Sequence, residues 1–388
     1  MAGIHRGAED TGYSGLPPGR RPRGKGALKM IPRLEEVRRR LGELDVILIS
    51  QATNRRYLSG FTGSAGFLFI SRKDAVLAVD FRYVEQARAQ SPDFEVVKIK
   101  GEFPEWFPGL ISELGARHVG FESDHLTLTA YRQLVRAARK LPPKARPRLH
   151  PTRGLVESLR SIKTNEEIKL IEEAASLADS AIEHANAILE PGITEKKLAW
   201  ELERFLREKG SERLPFEIIV ASGPNAALPH APAGGRAILR GEPVIIDLGA
   251  RVNGYCSDIT RTICLGEPND TLAQIHSIVQ EAQLAALKKL QAGMGGEEVH
   301  QLAKDVIEQA GYGEAFGHGL GHGIGLDSHE KPRLGPNSTD VLAEDMVFTL
   351  EPGIYLDGWG GVRIEDMVLL DKNGPRLLTR GPGIQEEG

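Results

Sequence analysis

The sequence predicts two domains, an α/β layer domain over about residues 30–150 and a pseudo-symmetric α+β domain over 155–380. Three observations predict this. In the first part, short apolar runs alternate with helical patterns, which reads as helices layered on a sheet. Pro142, Pro143, Pro147 and Pro151 then interrupt the pattern, and 141–154 reads as a linker. Beyond it, one order of elements (long helix, shorter helix, strand runs) occurs twice. Gly192 and Gly210 are 18 positions apart, and so are Gly293 and Gly311.

Taken in order, Leu34, Val37, Leu41 and Leu44 mark the apolar face of a first helix. Strands are expected at 45–49, 67–70, 75–79, 94–99 and 118–122, with helices at 81–90, 104–114 and 127–140. The second domain opens with a helix over 165–189. Asn165 is one candidate cap; Thr164 with Glu167 three residues later forms a capping box. Pro191-Gly192 ends that helix. The next runs over 195–209, with Leu198, Leu202, Phe205 and Leu206 on one face. Strand runs follow at 216–221, 243–250 and 255–264. The second round has helices at 271–291 and 296–310, then strand runs at 346–351 and 361–370.

Composition excludes several classes. The net charge of −4 argues against a protein built to hold nucleic acid. No apolar run approaches the ~20 residues of a membrane helix. Cys256 and Cys264, on one extended segment, would lie about 26 Å apart and cannot bridge. A cytoplasmic setting is therefore expected. Gly and Pro fill 10 of the first 29 positions, and that stretch has no apolar core of a secretory signal. A disordered tail is expected there. The chain also lacks a Gly-x-Gly-x-x-Gly fingerprint, a phosphate loop and a Gly-x-Ser-x-Gly elbow, so nucleotide chemistry and serine hydrolysis have no support.

The chemistry concentrates in two hairpins and a glycine-rich stretch. Asn253-Gly254 is a strong hairpin signal. A turn there sets Asp258 opposite Gly249 and makes Asp247 its diagonal neighbour on one face. Asp247 stands in an apolar strand, where an unpaired carboxylate is costly. A second hairpin with its tip at Gly358 puts Glu351 directly opposite Glu365. Like charges so placed repel, so either cations or partners such as Arg261 and Arg363 must hold them. Between the hairpins, 316–329 contains His318, His322 and His329 among five glycines. That glycine content forbids a stable helix and lets the backbone approach a ligand closely. Four carboxylates and an imidazole form a hard donor set suited to Mn²⁺, Co²⁺ or Fe²⁺. Two ions sharing such carboxylates, about 3.5–4 Å apart, make water a better nucleophile. Cys256 shares a face with Asp258 and reads as a small packed residue.

These motifs closely resemble the metallopeptidases of the pita-bread fold, and most of all the Xaa-Pro aminopeptidase and Xaa-Pro dipeptidase (prolidase) branch. The resemblance covers about 155–380. It reaches a creatinase-like first domain through Asn54-Arg-Arg-Tyr57-Leu-Ser-Gly60-Phe-Thr-Gly63. It implies that Asp247, Asp258, His322, Glu351 and Glu365 bind two divalent ions, with Mn²⁺ first, Co²⁺ second, and Fe²⁺ or Zn²⁺ after them. It further implies that Glu351 moves the proton, that His230 steadies the tetrahedral intermediate, and that His329 meets the substrate carbonyl. His318 and Arg363 would line the proline pocket, and Arg333 would hold a free substrate carboxylate. Ala233-Gly234-Gly235-Arg236 is more glycine-rich than the family segment, which affects the loop after His230.

The implied reaction is hydrolysis of the bond before proline. Xaa-Pro aminopeptidase is the first expectation and Xaa-Pro dipeptidase the alternative, toward which Arg333 leans. A catalytically inactive binding homologue is a remote third, disfavoured by five intact ligand positions. The substrate is a peptide or dipeptide with proline second, with no nucleic acid or membrane partner, and the family implies a homodimer.

Overall fold

The structure is a computed structural model that describes residues 30–381. The tail expected over 1–29 lies outside the described residues. The chain divides into two compact units between Leu159 and Arg160.

The first unit holds a mixed six-stranded sheet. Its strands are β1 (Val46–Ile49), β2 (Phe67–Ser71), β3 (Ala75–Val79), β4 (Glu95–Lys98), β5 (His118–Glu122) and β6 (Arg148–Thr152), in the order β4-β3-β2-β1-β5-β6. The helices are α1 (Met30–Arg40), α2 (Ala52–Ser59), α3 (Val84–Gln90), α4 (Phe103–Glu113) and α5 (Leu128–Arg139). All four residues of β1 are buried, as expected of a strand covered on both faces. Trp106 and Phe107 of α4 pack on Phe69 of β2 and bury the sheet's aromatic face.

Two features of this unit depart from the expectation. The proline-rich segment is not a linker, because residues 148–152 form β6, paired in parallel with β5. Its edge position explains this: an edge strand has one side without a ladder partner, where a missing proline N–H costs no bond. The second is α2, which has no apolar period to announce it. Its ends are set by caps: the Gln51 side chain accepts the Asn54 N–H, and Gly60 turns the chain at φ +76°. Buried Arg55 donates to the carbonyls of Gly63 and Gly66, so the following loop is built around a guanidinium.

A short helix, α6 (Glu157–Arg160), precedes the second unit's α7 (Asn165–Ile188), which carries the Thr164–Glu167 capping box. After α8 (Glu195–Glu208) come β7 (Ile219–Ser222), β8 (Pro243–Leu248), β9 (Arg251–Val252), β10 (Tyr255–Cys256) and β11 (Ile259–Cys264). The second round has α9 (Asp270–Lys289), α10 (Gly296–Gln309), β12 (Gly321–Gly323), β13 (Glu330–Leu334), β14 (Met346–Leu350), β15 (Gly353–Leu356), β16 (Gly360–Arg363), β17 (Asp366–Asp371) and β18 (Gly374–Leu377). One sheet runs β11-β8-β7 and the other β13-β12-β14-β17-β18. Among the described residues, no helix is long and apolar enough to cross a membrane.

The pairing of the loops makes the internal duplication concrete. Thr194 bridges Ala237 in the first half, and Gly295 bridges Val341 in the second. The Gly192 N–H reaches Ile238 O, and the Gly293 N–H reaches Leu342 O. The halves meet where Thr260 of β11 bridges Glu365 and Thr262 exchanges hydrogen bonds with the backbone of Arg363.

The glycine-rich stretch 316–329 forms no helix; it is irregular except at its centre, where Gly321–Gly323 make the short strand β12. At Gly321 an added Cβ would stand 2.0 Å from Thr349 O, so only glycine lets β12 lie against β14. Gly321→Ala should destabilise the protein by about 1–3 kcal/mol through overpacking. Urea denaturation of the purified variant measures the loss, and an unchanged midpoint would contradict this account of β12.

Candidate metal centre

The first hairpin turns at Asn253 (φ +46°) and Gly254 (φ +84°), the two positive φ values of a type I′ turn. Thr260 then pairs with Asp247 and Ile259 with Leu248, the expected register. The arm expected as one strand over 255–264 is broken between β10 and β11, and Asp258 sits in the break. Gly249 explains it: a Cβ there would meet Ser257 O at 2.1 Å. In the second hairpin, Leu350 pairs with Asp366 and Gly353 with Arg363, so Glu351 and Glu365 face each other across the expected register. Both stand in breaks of their strands. Three of the four carboxylates thus sit where an arm leaves one sheet for another.

One donor atom each from Asp258, His322 and Glu365 lie within 4.8 Å of one another. His322 Nε2 is 3.8 Å from Asp258 Oδ2 and 3.5 Å from Glu351 Oε1. Nδ1 of His322 lies 3.1 Å from the Gly323 carbonyl, so it must carry the proton there, and Nε2 keeps its lone pair toward the acids. Thr260 Oγ1 donates to Glu365 Oε2 at 2.7 Å. Asp247 Oδ2 pairs with Arg363 at 2.7 Å, while its Oδ1 is buried with no hydrogen-bond partner. Of the two arginines that were candidates for holding the acids, Arg363 does so at Asp247. Arg261 instead pairs with Asp366 at 2.6 Å and donates to Glu365 O.

Burial and mutual charge shape the electrostatics. Asp258 is pushed well above the carboxylate range by burial first, then by the charges of Glu365, Asp247 and Glu351. Glu365 is raised likewise, by burial and then by Glu351 and Asp247. Burial lifts Glu351 to about 7. Burial also lowers His322 and His318 to about 4, so both rings are neutral at pH 7. A neutral imidazole and four carboxylates are hard donors, and one buried oxygen has no partner. The set fits divalent cations.

The other expected residues surround this cluster. His329 is exposed at its rim and stacks on His322 with ring centroids 3.9 Å apart. His318 Nδ1 gives its proton to Gly319 O, so Nε2 accepts from the Tyr355 hydroxyl at 3.0 Å. Tyr355 in turn accepts from Arg363 at 3.0 Å. His230 is exposed on the loop after β7, beside Pro229, whose carbonyl accepts from Arg363 at 3.2 Å. Arg333 pairs with His322 in the β12–β13 register and so shares its face, but its guanidinium is turned to Pro336 O. Cys256 is fully buried, and burial pushes its thiol up to about 12, as suits a packed residue.

Sequence reasoning missed Thr260, Thr349 and Tyr355. Thr260 was within reach, since the expected register puts it opposite Asp247. Tyr355 is the diagonal neighbour of Arg363 in the second hairpin. Thr349 lies two residues before Glu351, and its hydroxyl is 3.5 Å from that carboxylate. Its other contact, accepting the His322 N–H, carries no sequence signal because it is made only once β12 lies against β14.

Fold and centre together define a class, a metallopeptidase whose catalytic domain is two pseudo-symmetric halves in the pita-bread arrangement. Residues 169–372 match the profile of Metallopeptidase family M24, and residues 32–162 match the Creatinase/Prolidase N-terminal domain. The chain belongs to metallopeptidase family M24. It is similar to a solved Xaa-Pro dipeptidase from Bacillus anthracis, 44% identical, covering 92% of this chain and 100% of that one, with a TM-score of 0.87. An Xaa-Pro dipeptidase of Pyrococcus horikoshii is 38% identical over 87% of this chain and 93% of its own length. A solved X-Pro aminopeptidase from Thermotoga maritima is 37% identical over 91% of this chain and 100% of its own, with a TM-score of 0.82.

The raised acids predict a pH-dependent stability without divalent ions. A carboxyl raised on folding makes the folded state bind more protons than the unfolded chain, so stability falls as pH rises through the shift. The lowered histidines act oppositely, but only between about 4 and their ordinary 6.5. Above pH 6.5 the acids act alone. Chelator-treated protein should therefore lose stability from pH 6.5 to 8. Added Mn²⁺ should restore more at pH 8 than at pH 6.5, and Asp258→Asn should flatten the slope. Urea midpoints at the two pH values test this, and equal midpoints would contradict it.

Proposed function

We propose that this chain is an Xaa-Pro dipeptidase, hydrolysing the bond between a free N-terminal residue and a C-terminal proline. The observation that carries the hydrolytic reading is the convergence of Asp258, His322 and Glu365, with Asp247 and Glu351 beside them. The sequence alone puts the aminopeptidase first. The names of the Bacillus anthracis and Pyrococcus horikoshii relatives favour the dipeptidase. The Thermotoga maritima relative keeps aminopeptidase as the second reading.

Asp247, Asp258, His322, Glu351 and Glu365 would hold the divalent ions, which supply Lewis acidity and lower the pKa of water at the site. Mn²⁺ is the ion to test first and Co²⁺ the second. Glu351 takes the proton of the attacking water and returns it to the leaving nitrogen, a task suited to a carboxyl so displaced by burial. His329 and His230 donate hydrogen bonds to the developing oxyanion. Arg363 stays cationic: burial works against its charge, but Tyr355 and Asp247 hold it above its usual range. Its charge opposes the burial that raises the Asp247 carboxyl, and with Tyr355 and His318 it forms a wall for the proline ring. A bond before proline has no N–H, so recognition must come from ring shape and the two substrate termini. Arg333, exposed and on the face of His322, is suited to a free proline carboxylate.

Kinetics on Xaa-Pro and Xaa-Pro-Yaa-Zaa substrates separate the two readings. The dipeptidase reading expects turnover of the dipeptide alone. Arg333→Ala should then raise KM for the dipeptide about tenfold with kcat little changed, the mark of lost ground-state binding. Asp258→Ala should lower kcat at least about a thousandfold. Efficient cleavage of the tetrapeptide would favour the aminopeptidase, and full turnover by Asp258→Ala would sink both.

A further inference from the structure

We propose that Glu195 is a positioning residue: it fastens the loop that carries His230 and so sets the aim of that imidazole. The proposal rests on the reading of His230 given above.

Glu195 is fully buried at the start of α8. Its carboxylate accepts the N–H of Ser222 at 2.8 Å, the Ser222 hydroxyl at 2.8 Å and the Gly234 N–H at 3.1 Å. The Asn225 amide lies 3.0 and 3.1 Å from its two oxygens. A carboxylate has about four acceptor sites, and this one spends them on a single loop. An acid at a helix start ordinarily serves the free N–H groups of its own helix. Here the Thr194 side chain already caps the Lys197 N–H, and the Glu195 carboxylate reaches out to 222–234.

The donors bracket His230, with Ser222 and Asn225 before it and Gly234 after it. Between them the Pro229 carbonyl is held by Arg363, which holds Asp247 in turn. The loop therefore has two moorings, Glu195 at its feet and Arg363 beside its imidazole. Arg236 reinforces the first by donating to Ser222 Oγ at 2.7 Å while paired with Glu242.

The second half of the domain shows that the fold itself does not demand this acid. The Glu195 N–H bonds Arg236 O, and the equivalent Gly296 N–H bonds Asp340 O. Glycine stands where Glu195 stands, and a Cβ there would be 2.2 Å from Arg333 O. The matching loop is closed instead by its own Asp340, which accepts from Lys331 and the Arg333 N–H. The acid belongs to the half whose loop presents His230.

Two variants test this. Glu195→Gln keeps the shape but turns an acceptor into a donor against N–H groups. Asn225→Ala removes one strap at a half-buried position and serves if the first variant does not fold. Each is measured for kcat and KM on an Xaa-Pro dipeptide, alone and in a His230→Ala background. The His230 ring resonances, assigned by their absence in His230→Ala, are followed by NMR. We expect kcat to fall about tenfold or more, as for a misaimed group, with KM changed less than about twofold. The His230 resonances should shift, while those of His118 and His150 stay. In the His230→Ala background the added substitution should cost less than about twofold, because effects acting through one group do not add. A kcat loss that persists in full without His230, or unmoved His230 resonances in both variants, would overturn the proposal. Full kcat in His230→Ala would instead refute the role given to His230, and the resonances would still decide whether Glu195 holds its loop.

Discussion

Four carboxylates held in one buried volume are the constraint on which the catalytic domain is built. Each loses hydration, and each raises its neighbours' cost of ionising. The fold answers with fixed donors. Arg363 faces Asp247, the Thr260 hydroxyl faces Glu365, and the Thr349 hydroxyl lies against Glu351. Behind the cluster, Arg261 joins Asp366 and the carbonyls of Thr260, Glu365 and Gly381, while Gln283 and Thr379 complete the satisfaction of Asp366. Removing one partner from so buried a network leaves a charge unpaired, which costs more than the pair contributes. The two hairpins are therefore locked together at the point where their acids repel most.

Duplication explains how such a site arises from simple parts, and its departures explain how it acts. Each half supplies two helices and one hairpin, and each hairpin carries two acids. Two halves that were strictly alike would place like charges together with no difference in role. The asymmetry comes from side chains present in one half only. Arg363 of the second hairpin crosses to Asp247 of the first and leaves Asp247 with one paired and one unpartnered oxygen. Glu195 fastens a loop in the first half, where glycine and Asp340 serve in the second. His322 and His318 each point Nδ1–H at the next residue's carbonyl. Yet the free Nε2 of one meets acids and that of the other meets a phenol, so the same local geometry yields different chemistry.

Most of the fold was legible because its signals are local. Asn253-Gly254 dictates a register without reference to any other element, and that register alone sets Asp247 and Asp258 on one face. The same reasoning around Gly358 puts Glu351 opposite Glu365. Apolar period placed the long helices, and the Thr164–Glu167 box placed the start of α7. The local rule fails where the environment decides. Residues 148–152 read as a linker because proline disfavours strands in general, and only their place at the sheet edge reverses this. The helix α2 is held by its caps and by Arg55 rather than by an apolar stripe, so periodicity could not find it.

The site divides along the same physical line. A carboxylate in a hairpin has a geometry fixed within about twenty residues of chain by strand pairing. An arginine or glutamate that reaches across the fold has no such rule. Arg261 stands three residues from Asp258 and Arg363 two residues from Glu365, and both were equal candidates to neutralise the cluster. Only tertiary packing sends one to Asp247 and the other to Asp366. Glu195 looks like any acid at a helix start, and nothing near it in sequence indicates that its partners lie at 222, 225 and 234. What holds the acids apart in number and together in space is therefore written locally, whereas what aims the groups around them is a property of the assembled halves.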